Sequence, residues 1–503
     1  MRNVTTRTLS FPKCAHAGWP FIAAATLLLC VWCVPGTRAD TMVKVQPSGL
    51  VFRFDGWGTS LCWFGNAVGR WSEPQRSEIA DLLFSPGGLG LTVVRYNIGG
   101  GEAPGHRHML AFRQMDGFQS ASGEWNWNAD PGQRWFLQAA IQRGANILEA
   151  FSNSPPYWMT VSRCASGNAD GNADNLDPRF QTAFADYLVE VTKHFRDDWS
   201  VSFQTLDPFN EPYTDYWKLN GRQEGCHFDR PSQSALIKLL RARLDARGLH
   251  STRISAADET NFDRTIGTFV AYDRETLACV AQLNTHAYAT ERRTELRQLA
   301  QRLGKPLVMS EVDGAGGARH DHDAMAPALE LADRIISDLK ELQPAQWTFW
   351  QVVEDEASQA AANKNWGLIH ADLQGKTQNY KLTKKYYAMA GFTKYIRPGQ
   401  VIVPVDDGNS VAAFDARTGI LVLVTRNATA SDVRVTYDLS AFTAMAGSAV
   451  PHRTSATENL VQLPPVEISA KGFTAPAKAQ SLTTYELKGV AYPTKTGFDQ
   501  EIR

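Results

Sequence analysis

The sequence predicts a (β/α)8 TIM barrel accompanied by an antiparallel β-sandwich domain. Three observations predict it. From about residue 53, strand-like and helix-like segments alternate through about eight units, which implies parallel strands joined by crossover helices. A series of that size fits a closed barrel, typically of about 250 residues or more with insertions. After about residue 397 the helical periodicity stops, and short alternating strands with turn residues between them read as a sandwich. The chain has 503 residues, too many for one hydrophobic core, so at least two domains are expected.

The elements follow in order. "LTVVRYNIGGG" is an apolar run ending in glycines, "RWFLQAAIQRGA" has helical spacing, and "NILEAFSNSPPYW" returns as a strand. In "DPRFQTAFADYLVEVTKHF", Asp177 is the expected cap and Pro178 the first helical residue. Phe180, Phe184, Tyr187, Leu188, Val191 and Phe195 share one face. "VSFQTLDPFNEP", "RISAADE", "CVAQLNTHAY", "PLVMSEVDG" and "AQWTFWQVV" supply further strands, with helices between them. An open doubly wound sheet is the alternative. Against it, no G-x-G-x-x-G or Walker loop follows the first strand, and "GGGEAPG" at 99–105 lacks the lysine and helix of a phosphate loop.

At the N-terminus Arg2, Arg7 and Lys13 precede "PFIAAATLLLCVWCVPG", and "TRAD" offers Thr37 and Ala39 as small residues. This reads as a secretory signal cleaved after Ala39, with a retained anchor as the runner-up. The expected organisation is therefore 1–39 signal peptide, 54–392 catalytic barrel, 40–53 plus 393–490 sandwich, and 491–503 tail. A secreted protein, extracellular or periplasmic, follows from it.

Lys plus Arg number 51 and Asp plus Glu 52, so no strong field favours nucleic acid or an acidic membrane surface. With the signal removed, no membrane partner is expected either, and the protein is expected to be a monomer. Cys62, Cys164, Cys226 and Cys279 remain after the signal leaves and show no metal-ligand spacing. Export makes disulfides plausible. Cys164 and Cys226 lie in loops after consecutive strands, which predicts a bridge between them.

In "LDPFNEPYTDYWK" at 206–218 an Asn-Glu-Pro follows an apolar stretch and is crowded by Tyr213, Tyr216 and Trp217. The plain reading is a helix start, with Asn210 as cap and Pro212 early in the helix. The sharper one is a carboxyl whose pKa aromatic neighbours raise. Barrel active sites lie at the C-terminal strand ends. The polar residues there are Arg95, Asn97, Tyr157, Trp158, Asn210, Glu211, His286, Tyr288, Glu311 and Trp350. Each alone could be core packing. Together they form an aromatic cup with two glutamates across the mouth. Carboxyls about 5–5.5 Å apart suit retaining glycoside hydrolysis, and wider spacing suits inversion. A metal site competes: "RHDHD" at 319–323 has ligand-like residues. We read it as a solvated loop or cleft rim, and expect no metal and no cofactor.

The chain resembles glycoside hydrolase family 30, of the large clan of retaining (β/α)8 glycosidases. The motifs are "FDGWGTSLCWFG", "VVRYNIGGG", "SNSPPYWM", "FNEP", "NTHAY", "LVMSEVDG" and "WTFWQ", in the family's order over most of residues 50–351. "LLFSPGGLGLTVVRYNIGGG" and "GRQEGCHF" look most like its endo-β-1,6-galactanase-like branch. The resemblance implies that Glu211 is the acid/base, with a pKa raised toward neutrality, and Glu311 the nucleophile. It implies that Asn210 bonds the sugar 2-hydroxyl, Arg95 and Tyr288 hold Glu311, and His286 stands behind the pair or touches sugar. Trp350 would lie under the sugar with Trp158 nearby, and Asn97, Asn153, Asp55 and Trp57 would make further sugar contacts. The expected function is a secreted retaining endo-glycosidase acting on polysaccharide, foremost β-1,6-galactan. The alternatives are β-1,6-glucan, glucuronoxylan, a glucosylceramide-like glycoside, or non-catalytic carbohydrate binding.

Overall fold

Eight parallel strands close into a barrel in the computed structural model, which describes residues 41–47, 52–314, 318–445, 447–469 and 471–491. They are β1 (Gly56–Ser60), β2 (Val93–Asn97), β3 (Ile147–Phe151), β4 (Thr205–Asp207), β5 (Arg253–Glu259), β6 (Val280–His286), β7 (Leu307–Val312) and β8 (Gln346–Phe349). Gln346–Phe349 pairs in register with Gly56–Thr59, so the last strand closes on the first. The strands are buried almost end to end because helices cover the outside and side chains fill the inside. That is why they read as apolar runs rather than as alternation.

One long helix follows each strand: α1 (Glu73–Phe84), α2 (Pro131–Gln142), α3 (Gln181–Asp198), α4 (Arg230–Ala246), α5 (Phe262–Ala271), α6 (Arg293–Leu303), α7 (Met325–Ser337) and α8 (Lys384–Thr393). The expected start of α3 is displaced by one turn. The Asp177 carboxylate accepts from the Arg179 amide, but Pro178–Phe180 form a separate 3-10 turn ahead of the helix. Phe184, Tyr187, Leu188, Val191 and Phe195 are buried on its inner face, while Phe180 stays at the edge. Gly304, with φ of 62°, ends α6 in the left-handed region that glycine adopts without steric cost.

Beyond α8, strands including Ser410–Asp415, Ile420–Asn427, Ser448–Ser455 and Ser481–Leu487 form an eight-stranded antiparallel sheet, which Phe52–Arg53 joins at one edge. A second sheet joins Thr41–Lys44, Val433–Asp438 and Gly472–Ala477, the first pairing being parallel. Tyr437, Phe473, Tyr485, Leu423 and Val43 fill the space between the sheets. The Tyr437 hydroxyl donates to Thr425 Oγ1 at 2.7 Å, so the buried phenol is satisfied. The other face of the large sheet meets α8. Thr484 Oγ1 donates to the Gly391 carbonyl at 2.7 Å, and a Cβ at Gly391 would sit 3.2 Å from that hydroxyl oxygen.

Three expectations are corrected. Trp57 is fully buried at the N-terminal floor of the barrel, packed on Phe54, Trp347 and Phe392, with Nε1 donating to the Ile396 carbonyl at 2.7 Å. Asp55 precedes β1 at that same floor and pairs with Arg53 at 3.0 Å. Both belong to the end of the barrel opposite the mouth, so neither touches sugar. The Cys164–Cys226 bridge is not formed, and Cys62, Cys164, Cys226 and Cys279 are all free thiols. The two loops do meet, Gly225 N donating to Ala165 O at 2.9 Å. However, Cys164 Sγ faces Glu102 and His108, while Cys226 packs into the barrel core. The expected signal peptide lies outside the described residues. Among the described residues no helix is long and apolar enough to cross a membrane.

Trp57→Ala is expected to lower stability by about 3–5 kcal/mol, as for other buried tryptophans cut to alanine. Guanidinium unfolding of the variant measures it. A change within about 0.5 kcal/mol, the range of ordinary surface positions, would take the indole out of the core.

Candidate active site

The segment after β4 does not start a helix. Glu211 adopts φ of 49°, a left-handed conformation costing a non-glycine residue roughly 1–2 kcal/mol. Its own backbone hydrogen bonds offset this. Glu211 N donates to Asp258 O at 2.8 Å, and its carbonyl accepts from Trp217 Nε1 at 2.9 Å and Thr214 Oγ1 at 3.2 Å. The aromatic crowding is thus structural. Trp217 holds the main chain, the Tyr216 hydroxyl donates to Glu211 Oε2, and Tyr213 lies under Arg230.

Glu311, next to last in β7, sits beside His286 at the end of β6. Its Oε1 accepts from the Tyr288 hydroxyl at 3.0 Å and its Oε2 from Arg95 Nη1 at 3.2 Å. His286 Nδ1 stands between the glutamates, 3.1 Å from Glu211 Oε1 and 3.4 Å from Glu311 Oε1. The three atoms lie within 4.8 Å of one another. His286 Nε2 faces Asp258 Oδ1 at 3.0 Å. Burial opposes a charge on the imidazole, but Glu311, Asp258 and Glu211 outweigh it and lift His286 well above its ordinary value. An imidazolium spends both nitrogens on protons. In that form one ring nitrogen faces Asp258 and the other faces the two glutamates.

Burial pushes the Glu311 carboxyl up to about 7. His286 and Arg95 oppose that rise, and Glu211 adds to it. Asp258 goes the other way: burial opposes its charge, yet Arg95, His286 and Ser310 keep it below the ordinary aspartate range. Arg95 is 1 % exposed and donates to Glu149 Oε1 at 3.1 Å, Ser60 Oγ at 3.1 Å, the Ser310 carbonyl at 3.1 Å and Asp258 Oδ2. Its guanidinium also lies 4.1 Å over the Phe151 ring.

The structure gathers most of the expected residues here. Asn97 Nδ2 donates to Glu224 Oε2 at 2.9 Å, and Asn97 Oδ1 accepts from Asn153 N at 3.2 Å. Burial lifts Glu224 to about 8. Trp350, at the end of β8, packs edge-on against Trp63 with centroids 5.2 Å apart. Asn210 Oδ1, Asn153 Oδ1 and Trp63 Nε1 are buried without a protein partner. Trp158 is tied elsewhere, its Nε1 to Gln119 O at 3.2 Å and its ring to Phe180. A cavity of about 500 Å³ opens between the Asn66–Trp71, Phe112–Asp116 and Leu373–Gln378 segments and contains neither glutamate. The charge network, not this cavity, marks the site.

Sequence reasoning missed Asp258, Glu149, Glu224 and Trp63, and named Tyr216 only as an aromatic neighbour of Glu211. Two of these carried a signal. Glu149 interrupts the apolar strand "ILEAF", and Asp258 lies next to last in the strand "RISAADE". His320 and His322 of "RHDHD" do not join the mouth; with His370 they surround Glu356 at 3.0–3.3 Å.

The profile of O-glycosyl hydrolase family 30 matches residues 41–293. An endo-β-1,6-galactanase of Hypocrea rufa is 33% identical, covering 90% of this chain and 96% of its own. An exo-β-1,6-galactobiohydrolase of Bifidobacterium longum subsp. longum is 25% identical over 87% of this chain, but only 39% of that protein is matched. Among solved structures, a conserved exported protein from Bacteroides fragilis superposes with a TM-score of 0.75 at 20% identity, covering 89% of this chain and 100% of that one.

Asp258→Asn keeps the shape of the side chain and removes the anion that Arg95 and His286 share. Breaking a buried pair from one side costs about 3–5 kcal/mol, and chemical denaturation should show that loss. A variant as stable as the parent would mean that Glu149 and Glu311 alone balance Arg95.

Proposed function

The chain belongs to O-glycosyl hydrolase family 30, and from that premise we propose a secreted, retaining endo-glycosidase that cleaves β-1,6-linked galactan. One observation carries the mechanism: oxygens of Glu211 and Glu311 approach within 4.8 Å. Inversion needs carboxyls about 6.5–9.5 Å apart, to admit a water between carboxylate and sugar. A close pair suits double displacement.

Glu211 donates a proton to the leaving glycosidic oxygen as Glu311 attacks the anomeric carbon from the opposite face. This gives a covalent glycosyl-enzyme. Glu211, now a carboxylate, takes a proton from water, which attacks the same carbon and releases Glu311, so the β configuration is retained. Burial works against a charge on Glu311. Arg95 and Tyr288 donate to its two oxygens, and the positive charge developing on the sugar ring favours the carboxylate further. Glu211 lacks a direct arginine partner among the described residues and receives Tyr216 and His286.

The unpartnered atoms support a hydroxyl-rich ligand. A buried polar atom without a partner costs about 1–3 kcal/mol. Sugar hydroxyls would satisfy Asn210 Oδ1, Asn153 Oδ1 and Trp63 Nε1, with Trp350 as an apolar floor. The galactan preference rests on the Hypocrea rufa relative. Product analysis on β-1,6-galactan, β-1,6-glucan and glucuronoxylan tests it: short galactose oligomers are expected, and release from the others alone would overturn the choice.

Azide separates the two glutamates. Glu311→Ala should nearly stop hydrolysis, and azide entering the vacated space should give an α-glycosyl azide from a β-linked substrate. Glu211→Ala should still react with activated aryl glycosides, and azide should then attack the intermediate to give the β-azide. NMR of each product reads both roles. The opposite configurations would reverse the assignment, and unchanged hydrolysis in either variant would remove that glutamate from the reaction.

A further inference from the structure

The thiol expected to form a disulfide sits in a different chemical setting. Cys164, in the loop after β3, points at a group from the loop after β2. Its Sγ lies 3.4 Å from His108 Nε2 and 3.6 Å from Glu102 Oε2. Glu102 Oε2 is 3.1 Å from His108 Nε2, and Glu102 Oε1 is 3.0 Å from His106 Nδ1. The four ligand atoms all fall within 4.8 Å of one another. We propose that Glu102, His106, His108 and Cys164 form a structural site for a zinc-type divalent ion that staples the loops of one cleft wall.

The donor set fits that ion. Zinc takes Cys, His and carboxylate ligands in tetrahedral geometry, with Zn–S near 2.3 Å and Zn–N or Zn–O near 2.0–2.2 Å. Tetrahedral edges are then about 3.3–3.8 Å. Separations of 3.0–3.6 Å between neighbouring donor atoms, taken to the nearer Glu102 oxygen, are close to those edges. Four protein ligands leave no open position, which marks a structural rather than a catalytic site. The outer support is also present. His108 Nδ1 is bonded to the Gly221 carbonyl, which leaves Nε2 free to ligate.

Charge points the same way. The Glu102 side chain is only 6% exposed, and its ion-pair partners among the described residues are the two histidines. A divalent ion with one thiolate, one carboxylate and two neutral imidazoles is a neutral unit, which removes the cost of burying the carboxylate. Binding releases the Cys164 thiol proton to solvent. The His320–His322–Glu356–His370 group lacks a sulfur and carries a 38% exposed carboxylate, so it makes a useful internal contrast.

The position gives the ion a task. Ala165 N donates to Glu102 Oε2 at 3.4 Å, and Gly225 N donates to Ala165 O at 2.9 Å. The ion would therefore tie together the loops after β2, β3 and β4, the last of which carries Tyr216 and Trp217 beside Glu211.

The full chain, stripped of metal and titrated with Co2+, should develop a thiolate-to-cobalt charge-transfer absorption that saturates at one equivalent. Zn2+ should displace it. The band should vanish in Cys164→Ser and persist in His322→Ala. A second readout avoids dependence on the folding of the Cys164 variant: Zn2+ should protect Cys164 from alkylation in the parent, and much less in His106→Ala. No charge-transfer band at saturating Co2+, a band that survives Cys164→Ser, or Cys164 alkylated equally fast with and without Zn2+ would each overturn the site.

Discussion

The buried guanidinium of Arg95 is the interaction on which the rest depends. Rooted in β2, it reaches Ser60 of β1, Glu149 of β3, Asp258 of β5, and Ser310 and Glu311 of β7. Five of the eight barrel strands thus meet on one side chain. Taking a cation out of water costs several kcal/mol even after relaxation, and only well-aligned partners offset it. Here the compensating anions are the same groups that orient His286 and Glu311. The barrel cannot settle its internal charge without also placing its reactive carboxylates.

His286 extends that arrangement to the other wall. One ring nitrogen faces Asp258 and the other lies between Glu211 and Glu311. Asp258 in turn accepts the backbone amide of Glu211 through its own carbonyl. The left-handed turn at Glu211 and the charge at Arg95 are therefore linked through one residue of β5. Positioning of the acid comes from main-chain geometry on one side and ionic contacts on the other.

Much of this was legible in the sequence, and the failures have physical causes. The barrel could be read because strands buried on both faces leave apolar runs, and the helices between them carry a 3.6-residue period. Glu211 and Glu311 could be read because each ends such a run. Asp258 was missed because its partners Arg95 and Ser310 lie on non-adjacent strands, which only barrel closure brings together, and Glu149 because its own strand does not show that Arg95 pairs beside it. Trp57 was misplaced because an aromatic near a strand does not say which end of the barrel it faces. The Cys164–Cys226 pairing foresaw that two loops meet, as Gly225 and Ala165 do. Loop adjacency does not fix where a thiol points, and Cys164 turns toward Glu102 and His108.

The floor of the barrel has a consequence for how the chain is made. The Trp57 indole is bonded to a carbonyl 339 residues downstream, and β1 waits for β8 to complete its second ladder. At about 5–20 residues per second, translation alone separates those partners by roughly 20–70 s. Throughout that interval the first strand lacks its β8 ladder and its tryptophan lacks Trp347, Phe392 and the Ile396 carbonyl, so this apolar surface stays open to chaperones or to other chains until those residues emerge.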